Sequence, residues 1–130
     1  MALTVLHGRA HRCGRLKGNR EVAYRGRVDE VFRALADPTR RLLLEELRRR
    51  DGQTLFELCT RLISVHGVAV TRQAVSKHLG VLADAGLVRV TRAGRTTVHR
   101  LDPGPFAGVA GWLDAMSAPA APPAPTEESP

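Results

Sequence analysis

Within the eight positions from Thr71 to His78 the chain gathers Thr71, Arg72, Gln73, Ser76, Lys77 and His78. Arg72, Gln73 and Ser76 carry hydrogen-bonding groups suited to base edges, whereas Thr71, Lys77 and His78 suit the phosphate backbone beside a groove. A second basic site is formed by Arg92 and Arg95 around Gly94. There the glycine permits a tight turn whose tip can approach phosphates or an adjacent minor groove. Catalytic chemistry is not expected. The chain shows no phosphate-cradling glycine loop, no Ser-His-Asp or Cys-His constellation and no paired carboxylates in a cleft context, and no cofactor is implied.

Groups that enter a groove must be presented by a helix fixed from behind, and the spacing supplies one. Thr71 caps a helix whose buried face is Ala74, Val75, Leu79, Leu82 and Ala83, and Gly86 ends it at a C′ position. Leu87, Val88 and Val90 begin a strand, residues 92–95 turn, and Thr96, Val98 and Arg100 alternate with Thr97, His99 and Leu101 on the return. Upstream, Val28, Val31, Phe32, Leu35 and Ala36 predict a first helix that stops near Asp37-Pro38. Asp37 then caps a second helix with Pro38 at its first position, Leu42, Leu43, Leu44 and Leu47 on its apolar face, and Arg48, Arg49 and Arg50 at its negative end. A third helix begins after Thr54, with Glu57 placed to complete a capping box, and the segment from Ser64 to Val70 reads as an interruption because of Gly67 and its β-branched residues. The order helix, helix, hairpin is that of a winged helix-turn-helix: mainly α with a small β-hairpin wing.

The last element expected to be ordered, Phe106 to Met116, is too apolar to stand alone in so small a domain. It should pack on the first helix of its own chain or on a second subunit, which makes Val31, Phe32 and Leu35 of the first helix with Phe106, Val109, Trp112, Leu113 and Met116 the candidate dimerisation residues. Composition agrees with one domain over residues 28–116, between a basic arm (1–27) and a Pro/Ala-rich tail (117–130), both expected to be disordered. The net charge of +7 is localised: residues 71–100 carry six bases against Asp84, whereas residues 28–70 balance seven against seven. Cys13 and Cys59 form no C-x-x-C pair, which suggests neither a disulfide framework nor a zinc ribbon. With no membrane-length apolar run and no secretory leader, a soluble cytoplasmic protein is expected.

The segments ALADPTRRLLLEEL, TLFELCTRL and QAVSKHLGVLADAGLV closely resemble the ArsR/SmtB family of bacterial repressors, over about residues 28–116. The resemblance implies a homodimer formed through terminal helices, with each fourth helix reading half of an inverted repeat in double-stranded DNA. It does not bring a metal site. Metal sensors of the family carry ELCVCDL where this chain reads ELCTRL, so Arg61 stands in place of the second thiolate, and the last helix offers Asp114 without the histidine partners of the other familiar site. The connection ISVHGVAV is several residues longer than in most relatives. Two alternatives of function remain open on these residues. One is a sensor of the same fold that responds to Cys59 oxidation or a small ligand, its effector unknown; the other is a winged-helix protein-interaction module that does not read DNA.

Overall fold

A computed structural model of the chain describes residues 20–125, with side chains described from Arg27 onward. The first helix, α1 (Arg20–Leu35), begins eight residues ahead of the expected Val28, so the boundary drawn there falls inside it. Glu21, Ala23, Arg25 and Arg27 are good helix formers, and extending an existing helix is far easier than nucleating one, so no apolar periodicity is needed to carry it back to Arg20. The rest of the basic arm, residues 1–19 with Cys13, and the last five residues of the tail lie outside the described residues. Residues 118–125 are exposed and form no helix or strand.

Asp37 ends the short link to α2 (Pro38–Arg49): its Oδ2 accepts the Arg40 amide at 3.0 Å, with proline in the first turn as the sequence requires. The buried stripe of α2 is Leu43, Leu44 and Leu47, and Glu46 lies among them. After α2 comes a strand the sequence reading did not foresee, β1 (Gln53–Thr54). Two residues cannot show strand alternation; what makes them a strand is distant pairing, with Gln53 opposite His99 and Thr54 opposite Val98. The Gln53 side-chain Nε2 also donates to the carbonyls of Glu46 (3.0 Å) and Arg50 (2.8 Å), tying the strand to the end of α2. The wing is therefore a three-stranded antiparallel sheet rather than a hairpin alone.

The expected capping box opens α3 (Leu55–Ser64): Thr54 Oγ1 accepts the Glu57 amide and Glu57 Oε1 faces the Thr54 amide. Leu58 and Leu62 are its buried face. The interruption after it is present over residues 65–71, with Gly67 at φ 64°. The recognition-helix candidate follows as α4 (Arg72–Asp84), with Thr71 Oγ1 accepting the Ala74 amide. Gly86, at φ 79°, closes α4: its amide donates to Ala83 O and that of Leu87 to Leu82 O, the paired bonds of a Schellman motif. That turn leads directly into β2 (Val88–Ala93), which pairs with β3 (Thr96–Leu101) from Val88–Leu101 to Ala93–Thr96. The strand order is β1-β3-β2.

The chain closes with α5 (Phe106–Ser117), packed on α1, where the Phe32 and Trp112 rings meet edge to face at 5.4 Å. All five helices and β2 contribute to one core: Val31 and Ala34, the α2 leucines, Leu58, Leu62, Val75, Leu79, Leu82, Leu87, Val88 and Val109. No helix among the described residues is long and apolar enough to cross a membrane.

Candidate nucleic-acid interface

Val75, Leu79 and Leu82 are buried and fix α4 to the domain. At about 100° per residue, Gln73, Lys77 and Gly80 fall on the opposite side, with Ser76 beside them. All four are exposed, as are Thr71 and Arg72. The structure thus brings Gln73, Ser76 and Lys77 together on the solvent side of one helix, while Arg72, exposed at its first position, lies on the flank nearer the buried stripe. Thr71 is next to them, but its hydroxyl already accepts the cap bond.

His78 is placed differently. It is half-buried, and its Nδ1 lies 3.4 Å from Arg40 Nη1 and 3.8 Å from Asp37 Oδ2, so it faces the start of α2. A guanidinium can only donate, so a hydrogen bond from Arg40 requires the tautomer in which Nδ1 accepts. The phosphate role expected of this imidazole is at best shared with an internal one.

In the wing, Gly94 has φ 66° and occupies the first central position of the two-residue turn between Ala93 and Thr96. Positive φ there and not at Arg95 is the pattern of a II′ hairpin turn, where glycine is strongly favoured. Arg92 and Arg95 are exposed on either side of it. Among the described residues neither makes an ion pair, and the same holds for Arg72 and Lys77. Arg89 and Arg100 lie farther down the same strands and are engaged, at 3.0 Å from Asp102 and 3.6 Å from Asp51.

Of the eight dimerisation candidates, Val31 and Val109 are taken up by the chain's own core and leave nothing for a partner. Phe32, Leu35 and Phe106 are half-buried, and Trp112, Leu113 and Met116 are 50%, 48% and 62% exposed. These six form the apolar margin of the α1–α5 layer.

Two polar clusters went unseen in the sequence. In one, the buried Glu46 carboxylate accepts from Arg61 Nε (2.9 Å) and Nη2 (3.2 Å), from Arg49 Nη2 (3.0 Å) and from His66 Nε2 (2.8 Å). The Arg61 bonds, reinforced by His66 and Arg49 against the opposing effect of burial, bring its carboxyl down to about 2. The available signal was position: Glu46 is three residues after Leu43, on the apolar stripe, and a charge there requires partners. The other cluster is that of Asp37, Arg40 and His78, whose members lie on different elements and have no local signature.

Arg61 also bears on metal binding. The residue standing where metal sensors place a second thiolate is committed to Glu46, and among the described residues no group of three or more His, Cys, Asp or Glu can hold a metal ion. The position does not suit a thiolate-bound metal. Cys59 is half-buried against the core, and burial pushes its thiol up despite the Arg72 charge, which keeps it protonated and weakly nucleophilic.

A family model for a helix-turn-helix domain matches residues 35–91. The chain is 46% identical over 90 residues to the uncharacterized HTH-type transcriptional regulator YuzN of Bacillus subtilis (strain 168), an alignment covering 68% of this chain and 98% of that one. Its fold is similar to an ArsR-like transcriptional regulator from Rhodococcus sp. RHA1, at TM-score 0.58 and 34% identity over 70% of this chain and 79% of the other. It is also similar to the solution structure of Mb0332 from Mycobacterium bovis, described as a homodimeric winged helix-turn-helix DNA-binding domain, at TM-score 0.56. That pair is 22% identical and covers 78% of this chain and 87% of the other, a likeness of fold.

Proposed function

The chain belongs to the ArsR family of winged helix-turn-helix transcriptional regulators, and from that premise we propose that it acts as a homodimeric repressor that reads an inverted repeat in double-stranded DNA with α4. The observation that carries this reading is the solvent face of α4, where Gln73, Ser76 and Lys77 are exposed away from a stripe that pins the helix to the core, with Arg72 exposed at the helix start and neither cation paired with an acid among the described residues. Gln73 and Arg72 are suited to bidentate contacts with base edges and Lys77 to phosphate. Arg92 and Arg95 add phosphate or minor-groove contacts from the wing. No step requires an enzyme's machinery or a cofactor; occupying a promoter is sufficient to block polymerase.

Dimerisation is supported by the apolar margin of Phe32, Leu35, Phe106, Trp112, Leu113 and Met116, and by the homodimeric state of the Mycobacterium bovis domain of the same fold. Two-fold symmetry would place two copies of α4 about one helical turn of DNA apart, ~34 Å between half-sites.

The test is fluorescence anisotropy of the full chain with a duplex from its own upstream region and with a scrambled duplex, at two salt concentrations. A preference of about 10³-fold or more, typical of specific sites, is the expected result. Equal, steeply salt-dependent binding to both would reduce α4 and the wing to a basic surface.

A further inference from the structure

We propose that Arg40 is a positioning residue for DNA reading: it ties the end of α1 to the recognition helix through His78, and so sets where α4 sits relative to the α1–α5 layer. The proposal rests on the reading of α4 given above and asks what holds that helix at a fixed angle to the two-fold axis.

Arg40 sits in the first turn of α2 and makes three kinds of contact at once. Its Nε donates to Ala34 O at 2.7 Å and its Nη2 to Arg33 O at 3.1 Å, the latter also accepting the Ala36 amide at 3.3 Å, so the guanidinium grips the C-terminal carbonyls of α1. Its Nη1 reaches His78 Nδ1 at 3.4 Å, in the middle of α4. Its backbone amide is held by Asp37 Oδ2, itself 3.8 Å from the same imidazole nitrogen. Arg41 caps α1 in parallel, Nη1 to Leu35 O at 2.6 Å, but reaches no other helix. Arg40 thus joins the end of α1 to the middle of α4 through one guanidinium.

Its planar fork explains why the geometry is directional. Apolar contacts between α1 and α4 tolerate sliding and rotation, whereas donors fixed in one plane specify both. Phe32, one residue ahead of the Arg33 carbonyl, stacks on Trp112 of α5. A continuous set of contacts therefore runs from the exposed apolar margin to the helix that presents Gln73 and Lys77. A small rotation of α4 moves its groove-facing atoms in both subunits in opposite senses, so its first consequence is a changed tolerance for half-site separation.

The experiment uses the full chain and, as probe, the duplex it enriches from a randomised library, together with versions whose half-sites are one base pair closer or farther apart. Arg40→Met, His78→Leu, His78→Gln and the Arg40→Met/His78→Leu double variant are compared for affinity, and ring ¹⁵N shifts of His78 are recorded for wild type and Arg40→Met. Each of Arg40→Met and His78→Leu is expected to weaken the selected duplex about tenfold, the scale of losing one hydrogen bond to a charged group, with little change on a scrambled duplex. The double variant should lose no more than either single one, and all three should discriminate less among half-site separations. His78→Gln, whose carbonyl can accept from Arg40, should retain the wild-type preference. Nδ1 should be unprotonated in wild type and change on Arg40→Met.

Additive losses, undiminished discrimination, equal behaviour of His78→Gln and His78→Leu, or a protonated Nδ1 would each overturn the proposal. If Arg40→Met does not fold, the two His78 variants decide, since neither touches the α1 carbonyls. Failure of the wild-type chain to enrich any sequence would instead refute DNA reading by α4, and this proposal with it.

Discussion

The arginines of this domain divide by region. Around α2, α3 and the base of the sheet most are engaged within the chain: Arg49 and Arg61 at Glu46, Arg89 at Asp102, Arg100 at Asp51, Arg50 3.0 Å from Glu57 Oε2 though without hydrogen-bond alignment, and Arg40 and Arg41 on α1 carbonyls, with exposed Arg48 the exception among the described residues. On α4 and at the wing tip, Arg72, Arg92 and Arg95, with Lys77, have none among the described residues. The lesson is that a net charge of +7 is a poor guide to where a polyanion binds, because many of the cations are used internally. What marks a binding surface is a group of cations left unanswered on one helix and the adjoining turn, which a lone exposed residue such as Arg48 is not. Removing a paired cation or its acid should therefore damage stability, and removing an unpaired one should damage only binding.

The largest effect is expected at Glu46. Glu46→Ala leaves Arg61 half-buried without its acid, and breaking a buried pair by deleting one partner destabilises by ~3–5 kcal/mol; urea denaturation at neutral pH would measure it. The same site sets an acid limit. With a folded value of about 2 against an ordinary 4.5, the carboxylate contributes stability that is complete above pH 4.5 and lost as pH falls from there toward 2. The difference corresponds to roughly 3 kcal/mol. Glu46→Gln should flatten that part of the pH profile, and an unchanged profile would show that Glu46 is not the buried hub of this cluster.

The next effects lie on the unpaired side. Gln73→Ala should cost ~1–3 kcal/mol of affinity, confined to one base-pair position, with no shift in the denaturation midpoint. A uniform loss on every sequence would place Gln73 on the backbone rather than on a base. Smaller still is Arg95→Ala, which should weaken all duplexes alike and reduce the salt dependence by about one unit of slope. If Arg95→Ala also lowered the denaturation midpoint, the division between paired and unpaired arginines would fail at the wing.

The unpaired side was the legible one. A cap at Thr71, an apolar stripe at Val75, Leu79 and Leu82 and a closing Gly86 are local, and local rules place Gln73 and Lys77 outward with no knowledge of the rest of the chain. The paired side is non-local. Glu46 and Arg61 are fifteen residues apart and Arg40 and His78 thirty-eight, separations at which spacing carries no information. The same reasoning explains β1, whose two residues are a strand only because His99 and Val98 lie opposite. It also explains Val31 and Val109: periodicity shows that a residue is apolar-facing, but only packing shows that its own core, and not a partner, claims it.

His99 tests whether that non-local strand holds the wing as the distances imply. Its Nδ1 donates to Gln53 O at 3.1 Å, and burial pushes the imidazole below its ordinary 6.5, the Gln53 bond opposing only in part. A base with a depressed folded value is neutral in the folded state, so the unfolded chain takes up the proton first as the solution is acidified. Stability is then fully present above pH 6.5 and declines below it, a decline that begins at higher pH than that of Glu46. His99→Asn keeps an N–H for Gln53 and removes the titration, so it should abolish the decline while leaving neutral-pH stability nearly unchanged. An NMR titration of the wild-type ring with a midpoint at or above 6.5 would mean that water reaches His99, and that β1 does not close over the sheet.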